Sequence, residues 1–324
     1  MTDTGPLFVS SGDLLADGRY KWALDHAARG DFAAAAEVLM QTLELAPDFA
    51  TAWFALGAIR DRLGDRSGAV AAFERARDAD PEDYHGARLQ LARLGSGEAR
   101  PAMTEAYVRR LFDQYAARYD TALTEKLHYR GPALLLAAVE AVTRAAGRQF
   151  RFRSMLDLGC GTGLAGSAFR PVVDRLAGVD LSPAMVAQAA TKGVYDRLVT
   201  ADIKDFLASE ATNAARHDLV VAADVFVYVN DLRPIVAEVA CVLAPDGLFA
   251  FTVETHSGAD TRLLPTLRYA HSEGYVRDVL KRARLAPVHL AAASVRREKG
   301  VPVESLVAVA QPSTAGHAPV TSGR

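Results

Sequence analysis

Glycine recurs at short intervals in the stretch MLDLGCGTGLAG, which covers residues 155–166. The four glycines of this stretch are Gly159, Gly161, Gly163 and Gly166. Glycine permits tight turns and lets a ligand approach bare backbone, so the stretch predicts a ligand-binding loop. The spacing of the last three glycines fits a dinucleotide pyrophosphate site, but the same triplet also fits other adenosine ligands.

Three aspartates at the ends of apolar runs narrow the class of ligand. Asp157 lies two residues before the first glycine, where its charge would repel a pyrophosphate and attract an ammonium or sulfonium group. Asp180 could accept hydrogen bonds from both hydroxyls of a ribose, and Asp202 could accept a hydrogen bond from the exocyclic amine of adenine. With Met185 available to lie against a flat base, this set predicts S-adenosylmethionine, a charged nucleoside without phosphates.

The elements that must position these residues follow from the pattern after residue 154, where short β-rich runs alternate with helical stretches. The predicted strands are SMLDLG, LAGVDL, RLVTAD, DLVVAAD and LFAFTVE, and the predicted helices are 164–173, 183–192, 203–210 and 232–243. A helix at 273–285 and a closing antiparallel pair at 286–298 and 304–311 follow. This alternation predicts an α/β fold with a doubly wound, mostly parallel sheet, whose ligands bind at the carboxyl ends of the strands.

The N-terminal region contains an internal repeat, since Gly30-Asp31 recurs as Gly64-Asp65, 34 residues later. That period is typical of tetratricopeptide repeats, in which paired helices stack on one another. Trp53 and Phe73 are predicted to fill the space between the helices of the second copy, and YHGARLQLARLG predicts a capping helix. Two repeats and a cap would form either a groove for a peptide or protein, or a helical support for self-association.

Composition and charge exclude several classes of protein. The chain has 324 residues with 37 basic and 39 acidic side chains, and this balance predicts no nucleic-acid partner. Its two cysteines, Cys160 and Cys241, have no disulfide or zinc-ligand spacing, so no metal site is predicted. Without a secretory pattern at the start or a long apolar run, the sequence predicts a soluble, cytoplasmic protein with no membrane partner.

Five motifs resemble, in order, the successive motifs of class I S-adenosylmethionine-dependent methyltransferases: LDLGCGTG, LAGVDLSPAMV, VTADIKDFL, DLVVAADVFVYVNDL and LAPDGLFAFTVE. The resemblance covers residues 105–310 and implies a Rossmann-like sheet of seven strands with an antiparallel final strand. The preceding LFDQYAARYDTAL resembles the first helix of the small-molecule branch of that family. With its repeats, the chain resembles bacterial methyltransferases that carry an N-terminal tetratricopeptide segment.

The repeats and the resemblance together predict four segments. Residues 1–95 would form an all-α tetratricopeptide domain, and residues 96–104 a linker. Residues 105–311 would form the methyltransferase domain with its leading helices, and residues 312–324 a disordered tail.

The resemblance also implies which residues bind the cofactor: Tyr119, Asp157, Gly159, Cys160, Gly161, Gly163, Asp180, Leu181, Met185, Asp202, Ile203 and Ala223. The loop from Asp157 onward would hold the methionine part, with Ala223 beneath it and Tyr119 closing over it. Leu181 would flank the adenine, and Ile203 would contact its edge. From the residues alone, Asp157 could instead tie down its own loop, Met185 could be a core residue, and Cys160 is predicted to be a small filler.

Candidate catalytic residues follow the fourth and fifth predicted strands. Methyl transfer from a sulfonium needs alignment above all, and a general base only where the acceptor must lose a proton. Tyr228, with Asp224 and Asn230, would lie near the methyl group. His256 could act as a base, as could His271, although either could be a locally hydrogen-bonded residue and His271 could cap the following helix.

Several functions remain open at this point. The leading interpretation is a methyltransferase acting on a small molecule, with repeats that bind a partner or form a homodimer. A protein methyltransferase whose repeats hold the target, a catalytically idle adaptor and an NAD-dependent oxidoreductase are the alternatives. Near the acceptor, Arg262 and Arg268 could meet a carboxylate or a phosphate.

Overall fold

A computed structural model of the chain describes residues 7–97, 102–121, 123 and 127–313. The chain divides into two compact units. The first comprises the described residues up to 110 together with Leu263–Leu267, and the second comprises the described residues of 111–262 and those from 268 onward. Residues 98–101 of the predicted linker and 314–324 of the predicted tail lie outside the described residues, so the domain boundaries stay predictions.

The first unit is helical, with α1 (Leu14–Ala28), α2 (Phe32–Leu45), α3 (Ala50–Arg62), α4 (Arg66–Ala79) and α5 (Ala87–Arg93). Gly30 and Gly64 follow α1 and α3 at φ values of 84° and 80°. Asp31 and Asp65 then cap α2 and α4, each accepting a backbone N–H of its helix. The repeat in the sequence therefore corresponds to two helix pairs joined by the same kind of turn.

Packing between α3 and α4 depends on one glycine and one aromatic ring. Phe73 is fully buried, and a Cβ at Gly57 would lie 2.7 Å from its ring, so the glycine makes room for the ring. Trp53 is half-buried on α3 and packs against the apolar core that includes Ala72 of α4. Its ring lies 5.3 Å from the Arg75 guanidinium carbon on α4, and its Nε1 donates to the Pro47 carbonyl at 2.7 Å, since an indole N–H needs a polar partner.

The nine strands of the described chain belong to the second unit, except that the sixth ends at Leu263, a residue of the first unit. They are β1 (Phe152–Leu158), β2 (Val173–Asp180), β3 (Arg197–Thr200), β4 (His217–Ala222), β5 (Leu243–Glu254), β6 (Thr261–Leu263), β7 (Tyr269–His271), β8 (Leu285–Glu298) and β9 (Val301–Pro312). The division between the units falls within α6 (Glu105–Tyr115). The helices after it are α7 (Tyr119–Thr121), α8 (Gly131–Ala145), α9 (Leu164–Phe169), α10 (Pro183–Thr191), α11 (Ile203–Thr212), α12 (Arg233–Val242) and α13 (Glu273–Arg282).

The strands form one sheet in which β3, β2, β1, β4 and β5 are parallel neighbours in that order. Strand β9 runs antiparallel beside β5, and β8 pairs antiparallel with β9. These pairings confirm the predicted mostly parallel sheet and its closing antiparallel pair. The predicted number of seven strands is wrong, because β6 and β7 bring the sheet to nine and have only three residues each, too few to show an alternating pattern.

Two apolar cores cover the two faces of the sheet, because successive side chains of a strand point to opposite sides. On β1, Leu156 and Leu158 join one core, to which α11, α12 and α13 contribute buried side chains. Met155 joins the other core, which includes Leu135 of α8 and Phe169 of α9. With helices on both faces, the loops at the carboxyl ends of the parallel strands are left to form the site.

One predicted helix of the second unit is shorter than the sequence indicated. The helix predicted at 164–173 ends at Phe169, and a 3₁₀ turn over Arg170–Val172 follows, because Pro171 has no backbone N–H to continue the α-helix. No helix among the described residues has the length and hydropathy that crossing a membrane requires.

Candidate functional site

The glycine loop (residues 159–163) connects β1 to α9 at the carboxyl end of the sheet. Gly159, Gly161 and Gly163 have φ values of 64°, 52° and 90°. These left-handed conformations favour glycine because a Cβ would be strained there. A Cβ at Gly159 would also lie 2.6 Å from a methyl carbon of Val225, so the loop passes close to the residues that follow β4.

Asp180 fastens this loop to the end of β2. Its Oδ2 accepts the backbone N–H of Gly161 at 2.8 Å, and its Oδ1 accepts that of Ser182 at 2.9 Å. The residue is 9% exposed, and burial raises the pKa of its carboxyl against the opposing effect of these two donors. A carboxylate has about four acceptor positions, so both oxygens keep capacity for the hydroxyls of a ribose.

Asp157, at the end of β1, is paired with Tyr195, which the sequence predictions missed. Tyr195 Oη donates to Asp157 Oδ2 at 2.6 Å, whereas Oδ1 is buried without a hydrogen-bond partner among the described residues. Burial raises the pKa of the Asp157 carboxyl to about 7, and the charge of Asp180 adds to the shift against the hydrogen bond from Tyr195. A buried acceptor without a partner suits a cationic ligand group.

Side chains of the leading helices are hydrogen-bonded to this loop and to α10. Asp120 on α7 accepts a hydrogen bond from the Thr162 hydroxyl and pairs with Lys192 Nζ at 2.7 Å. Asp113 on α6 accepts the hydroxyl of Ser182 at 2.5 Å, and that hydroxyl in turn caps α10. These contacts hold α7 and the end of α6 beside the loop.

The residues predicted to surround the adenine have different environments. Leu181 is half-buried directly after β2, whereas Met185 is fully buried, which favours the alternative that it is a core residue. The prediction that Asp202 ends β3 is wrong, because β3 stops two residues earlier. Instead Asp202 caps α11, its Oδ1 accepting the Lys204 N–H at 2.8 Å, and the half-buried Ile203 begins that helix.

Two further predicted cofactor residues contribute small side chains. Cys160 is almost fully buried in the loop, and burial raises the pKa of its thiol, so the side chain is neutral and fills space. Ala223 is half-buried directly after β4. Among the residues that the structure describes, no cluster of His, Cys, Asp and Glu could hold a metal ion.

A tyrosine cluster, formed by Tyr119, Tyr129 and Tyr228, lies beside the glycine loop. A Cβ at Gly161 would be 3.9 Å from Cε1 of Tyr119, so the Tyr119 ring is next to the loop, as predicted. The ring of Phe112 contacts both Tyr119 and Tyr228 edge to face, at centroid distances of 5.9 and 5.1 Å. Burial raises the pKa of all three phenols, so they are protonated at neutral pH and can donate hydrogen bonds.

Next to these tyrosines, five charged side chains form a buried ion network: Asp224, Glu254, Arg268, Arg296 and Glu298. Arg296 is 1% exposed and binds all three carboxylates, including Asp224 Oδ1 at 2.6 Å. Arg268, predicted to meet a carboxylate or phosphate of the acceptor, pairs instead with Glu298 and Glu254 of the protein. No sequence pattern indicated Arg296, because its partners lie on β5, β8 and the loop after β4.

The two candidate histidines differ in access. His256 is half-buried, and its Nδ1 accepts the Gly258 N–H at 3.0 Å, which places a neutral ring's proton on Nε2. His271 is 0% exposed, and its Nε2 lies 2.9 Å from the Val229 carbonyl. Burial lowers the pKa of His271 to about 4.

This geometry favours the alternative that His271 is a locally hydrogen-bonded residue, since a base must reach the proton it removes. The alternative that His271 caps α13 is wrong, because Ser272 occupies that position and its hydroxyl accepts the Tyr275 N–H.

Asn230 accepts a hydrogen bond from Thr261 at 2.7 Å, and its Nδ2 has no partner among the described residues.

Comparison with solved structures gives weak similarities. An S-adenosylmethionine-dependent methyltransferase from Clostridium acetobutylicum is 18% identical, with 63% of this chain and 99% of that chain covered at a TM-score of 0.47. The N-methyltransferase NodS from Bradyrhizobium japonicum, in complex with S-adenosyl-L-homocysteine, is 18% identical, with 63% and 97% covered at 0.49. The 1,6-didemethyltoxoflavin-N1-methyltransferase of Burkholderia thailandensis is 21% identical, with 64% and 88% covered at 0.48.

The comparison with protein families is more direct, since residues 127–286 match the family model of a methyltransferase domain. No curated protein matches the chain. The match favours a methyltransferase over the oxidoreductase. Over residues 127–286 the chain is similar to methyltransferase domains.

Proposed function

We propose that the protein transfers the methyl group to an oxygen or nitrogen atom of a small organic molecule. The observation that carries this proposal is the tyrosine cluster beside the glycine loop, with the ion network next to it. Aromatic faces with a few polar groups suit a compact acceptor that can be surrounded. The near-neutral net charge of −2 agrees with an acceptor other than a nucleic acid.

The predicted cofactor roles belong to the same proposal. Asp180 would accept the ribose hydroxyls with the acceptor capacity that its two backbone donors leave. Asp157 would face the ammonium group, and the glycine loop would hold the methionine part against bare backbone. Tyr119 would close over the cofactor from α7, and Asp202 would take the adenine amine through Oδ2, since its Oδ1 accepts the Lys204 N–H.

When bound, the cofactor supplies an activated methyl group on a sulfonium. The protein's task is then to hold the acceptor atom in line with that methyl group, which can lower the barrier by roughly 7–11 kcal/mol. Tyr228, a protonated phenol, would donate a hydrogen bond that orients the acceptor. Asp224, whose Oδ1 is paired with Arg296, would hold an acceptor's hydroxyl or amine proton. His256 stays the predicted alternative base.

For the first unit we propose tetratricopeptide-type repeats that bind a partner or a second copy of the chain. Support comes from the two helix pairs with matching turns and from a surface groove of about 410 Å³. The groove is lined by Met40, Leu43, Glu44, Trp53, Leu56, Arg60, Ala71, Ala72 and Arg75. The same groove favours the second candidate function, a protein methyltransferase whose repeats hold the target chain.

Transfer of a labelled methyl group distinguishes the two candidates. The full-length protein is incubated with methyl-labelled S-adenosylmethionine and either the small-molecule or the protein fraction of a cell extract. We expect label in the small-molecule fraction, with no change for the groove variant Trp53→Ala and a loss for Asp224→Asn. Label that appears only in protein, and that Trp53→Ala removes, would establish the protein methyltransferase instead.

A further inference from the structure

Three glycines of the second unit surround one side chain. A Cβ at Gly163, Gly166 or Gly178 would lie 2.9, 2.3 or 2.7 Å from the nearest ring atom of Tyr195. Real Cβ contacts are essentially never closer than 3.0 Å, so none of the three positions accepts a larger residue while the ring stays in place. The last two glycines of the Gly161-x-Gly163-x-x-Gly166 motif therefore accommodate a tyrosine rather than a phosphate group.

The hydroxyl of this tyrosine has one acceptor. Tyr195 Oη donates to Asp157 Oδ2 at 2.6 Å, and Asp157 is 1% exposed. The other carboxylate oxygen, Oδ1, is buried without a hydrogen-bond partner among the described residues. The Gly166 backbone N–H also stabilises the charged carboxylate. The Tyr195 bond fixes the carboxylate with Oδ2 occupied, and Oδ1 is left as a buried acceptor without a partner at hydrogen-bonding distance among the described residues, which is unfavourable.

The titratable groups around Asp157 do not compensate the negative charge of its carboxylate. Four titratable groups either shift the pKa of Asp157 or have their own pKa shifted by it. They are Asp180 at the end of β2, Cys160 in the glycine loop, Tyr129 before α8, and Tyr195 itself. All four are neutral or negative, and none is a cation. A carboxylate in this position is completed by a positive ligand group.

We propose that Tyr195 is a positioning residue, which orients Asp157 so that its free Oδ1 receives the ammonium group of the cofactor's amino acid. The inference rests on the cofactor roles proposed above and adds to them a residue outside the motifs. Ligands with an α-ammonium group, such as S-adenosylhomocysteine, should depend on Tyr195. 5′-Methylthioadenosine, which has the same nucleoside without the amino acid, should not.

Calorimetric titration of the full-length protein tests this difference. S-Adenosylhomocysteine and 5′-methylthioadenosine are each titrated into the wild type and Tyr195→Phe between pH 6 and pH 9. The variant keeps the ring between the three glycines and loses only the hydroxyl. At neutral pH we expect roughly tenfold weaker binding of S-adenosylhomocysteine, the effect of one charge-assisted hydrogen bond. Binding of 5′-methylthioadenosine should be unchanged.

The pH profile separates positioning from simple packing. Without the Tyr195 hydroxyl the Asp157 carboxyl ionises at higher pH, so the affinity of the variant for S-adenosylhomocysteine should recover as the pH rises. The matched control is Tyr275→Phe, which removes a hydroxyl bonded to Asp231 and to the Leu232 N–H and should leave the profile unchanged. An equal loss for both ligands, or wild-type behaviour at every pH, would overturn the inference.

A second variant serves if Tyr195→Phe does not fold. Asp157→Asn keeps the shape of the side chain and removes its charge, so the affinity for S-adenosylhomocysteine should no longer depend on pH between pH 6 and pH 7.5, below the range in which the ligand's own ammonium group loses its proton. Persistence of that dependence would overturn the inference. Failure of the wild type to bind either ligand would instead contradict the proposed cofactor site.

Discussion

Glycine has different roles in the repeat turns of the helical unit and around the glycine loop of the sheet unit. In the helical unit, Gly30 and Gly64 have φ values of 84° and 80°, and a Cβ on either would meet nothing within 4 Å. In the sheet unit, a Cβ at Gly159, Gly166 or Gly178 would collide with a side chain from another element. The first group of glycines is required only for the positive φ of a turn. The second group makes room for side chains from distant parts of the chain.

The difference explains which features a motif can indicate. A turn glycine followed by a capping aspartate is local, so its repetition 34 residues later is visible in the sequence. A glycine that makes room for Tyr195 is interpretable only once the ring's position is known. The same residue type therefore gives a reliable structural signal in one unit and an ambiguous ligand signal in the other.

The largest effect should come from replacing aspartates that accept backbone N–H groups in both units. Asp180→Ala loses the bonds to Gly161 and Ser182 together with the proposed ribose contacts. At about 1.5–3 kcal/mol for each bond to a charged group, cofactor affinity should fall roughly 100-fold or more. Calorimetry with S-adenosylhomocysteine measures this loss.

The matched variant in the helical unit is Asp65→Ala, which removes the cap of α4. It should lower the free energy of unfolding by about 1 kcal/mol without changing cofactor affinity. Equal affinity losses for the two variants would show that the contrast between local and ligand-binding aspartates does not hold.

Stability against pH gives the next largest effect. The pKa of Asp157 is about 7 in the folded chain and near 3.8 when unfolded, so the folded state binds more protons between these values. The contribution of Asp157 to stability should therefore fall as the pH rises from about 4 to about 7, by on the order of 3 kcal/mol. Thermal unfolding of wild type and Asp157→Asn without cofactor should diverge over this range, with the variant the more stable at pH 8. Parallel curves would contradict the assignment.

Two helical glycines provide a smaller and sharper test. Gly18 in α1 has open space around it, so Gly18→Ala should raise the free energy of unfolding by about 0.5–1 kcal/mol through helix propensity. A Cβ at Gly166 in α9 would lie 2.3 Å from Tyr195, so Gly166→Ala should lower the free energy of unfolding by about 1–3 kcal/mol. Chemical denaturation measures both changes in the free energy of unfolding. Two changes of the same sign would contradict the contrast between the two kinds of glycine.

Two buried histidines are expected to have the smallest effect on turnover. His85 lies 3.0 Å from both Thr51 and Asp80, whereas the Nε2 atom of His271 lies 2.9 Å from the Val229 carbonyl. Because His271 is enclosed, His271→Asn should leave the methyl-transfer rate within about twofold, as should His85→Asn. Loss of a general base would reduce the rate by about 10²–10⁴-fold, so a decrease of that size for His271→Asn alone would restore its catalytic role.

The order of elements and much of the proposed cofactor site could be predicted from sequence. Alternation of apolar residues placed the five parallel strands, and the aspartates at the carboxyl ends of β1 and β2 lie at the predicted sheet edge. Predictions that concerned side-chain partners were less accurate. Arg268, expected to meet a carboxylate or phosphate of the acceptor, is paired with Glu254 and Glu298, which are distant in the chain.

The sequence by itself determined the parallel sheet, the glycine loop and the paired helices, because these depend on local periodicity and backbone freedom over a few residues. Only the tertiary structure decided that Tyr195 occupies the space beside three glycines and binds Asp157. It also decided that Arg296 collects three carboxylates and that His271 is enclosed. These features depend on which distant side chains meet in a low-dielectric interior, where each buried polar group requires a partner that local sequence does not specify.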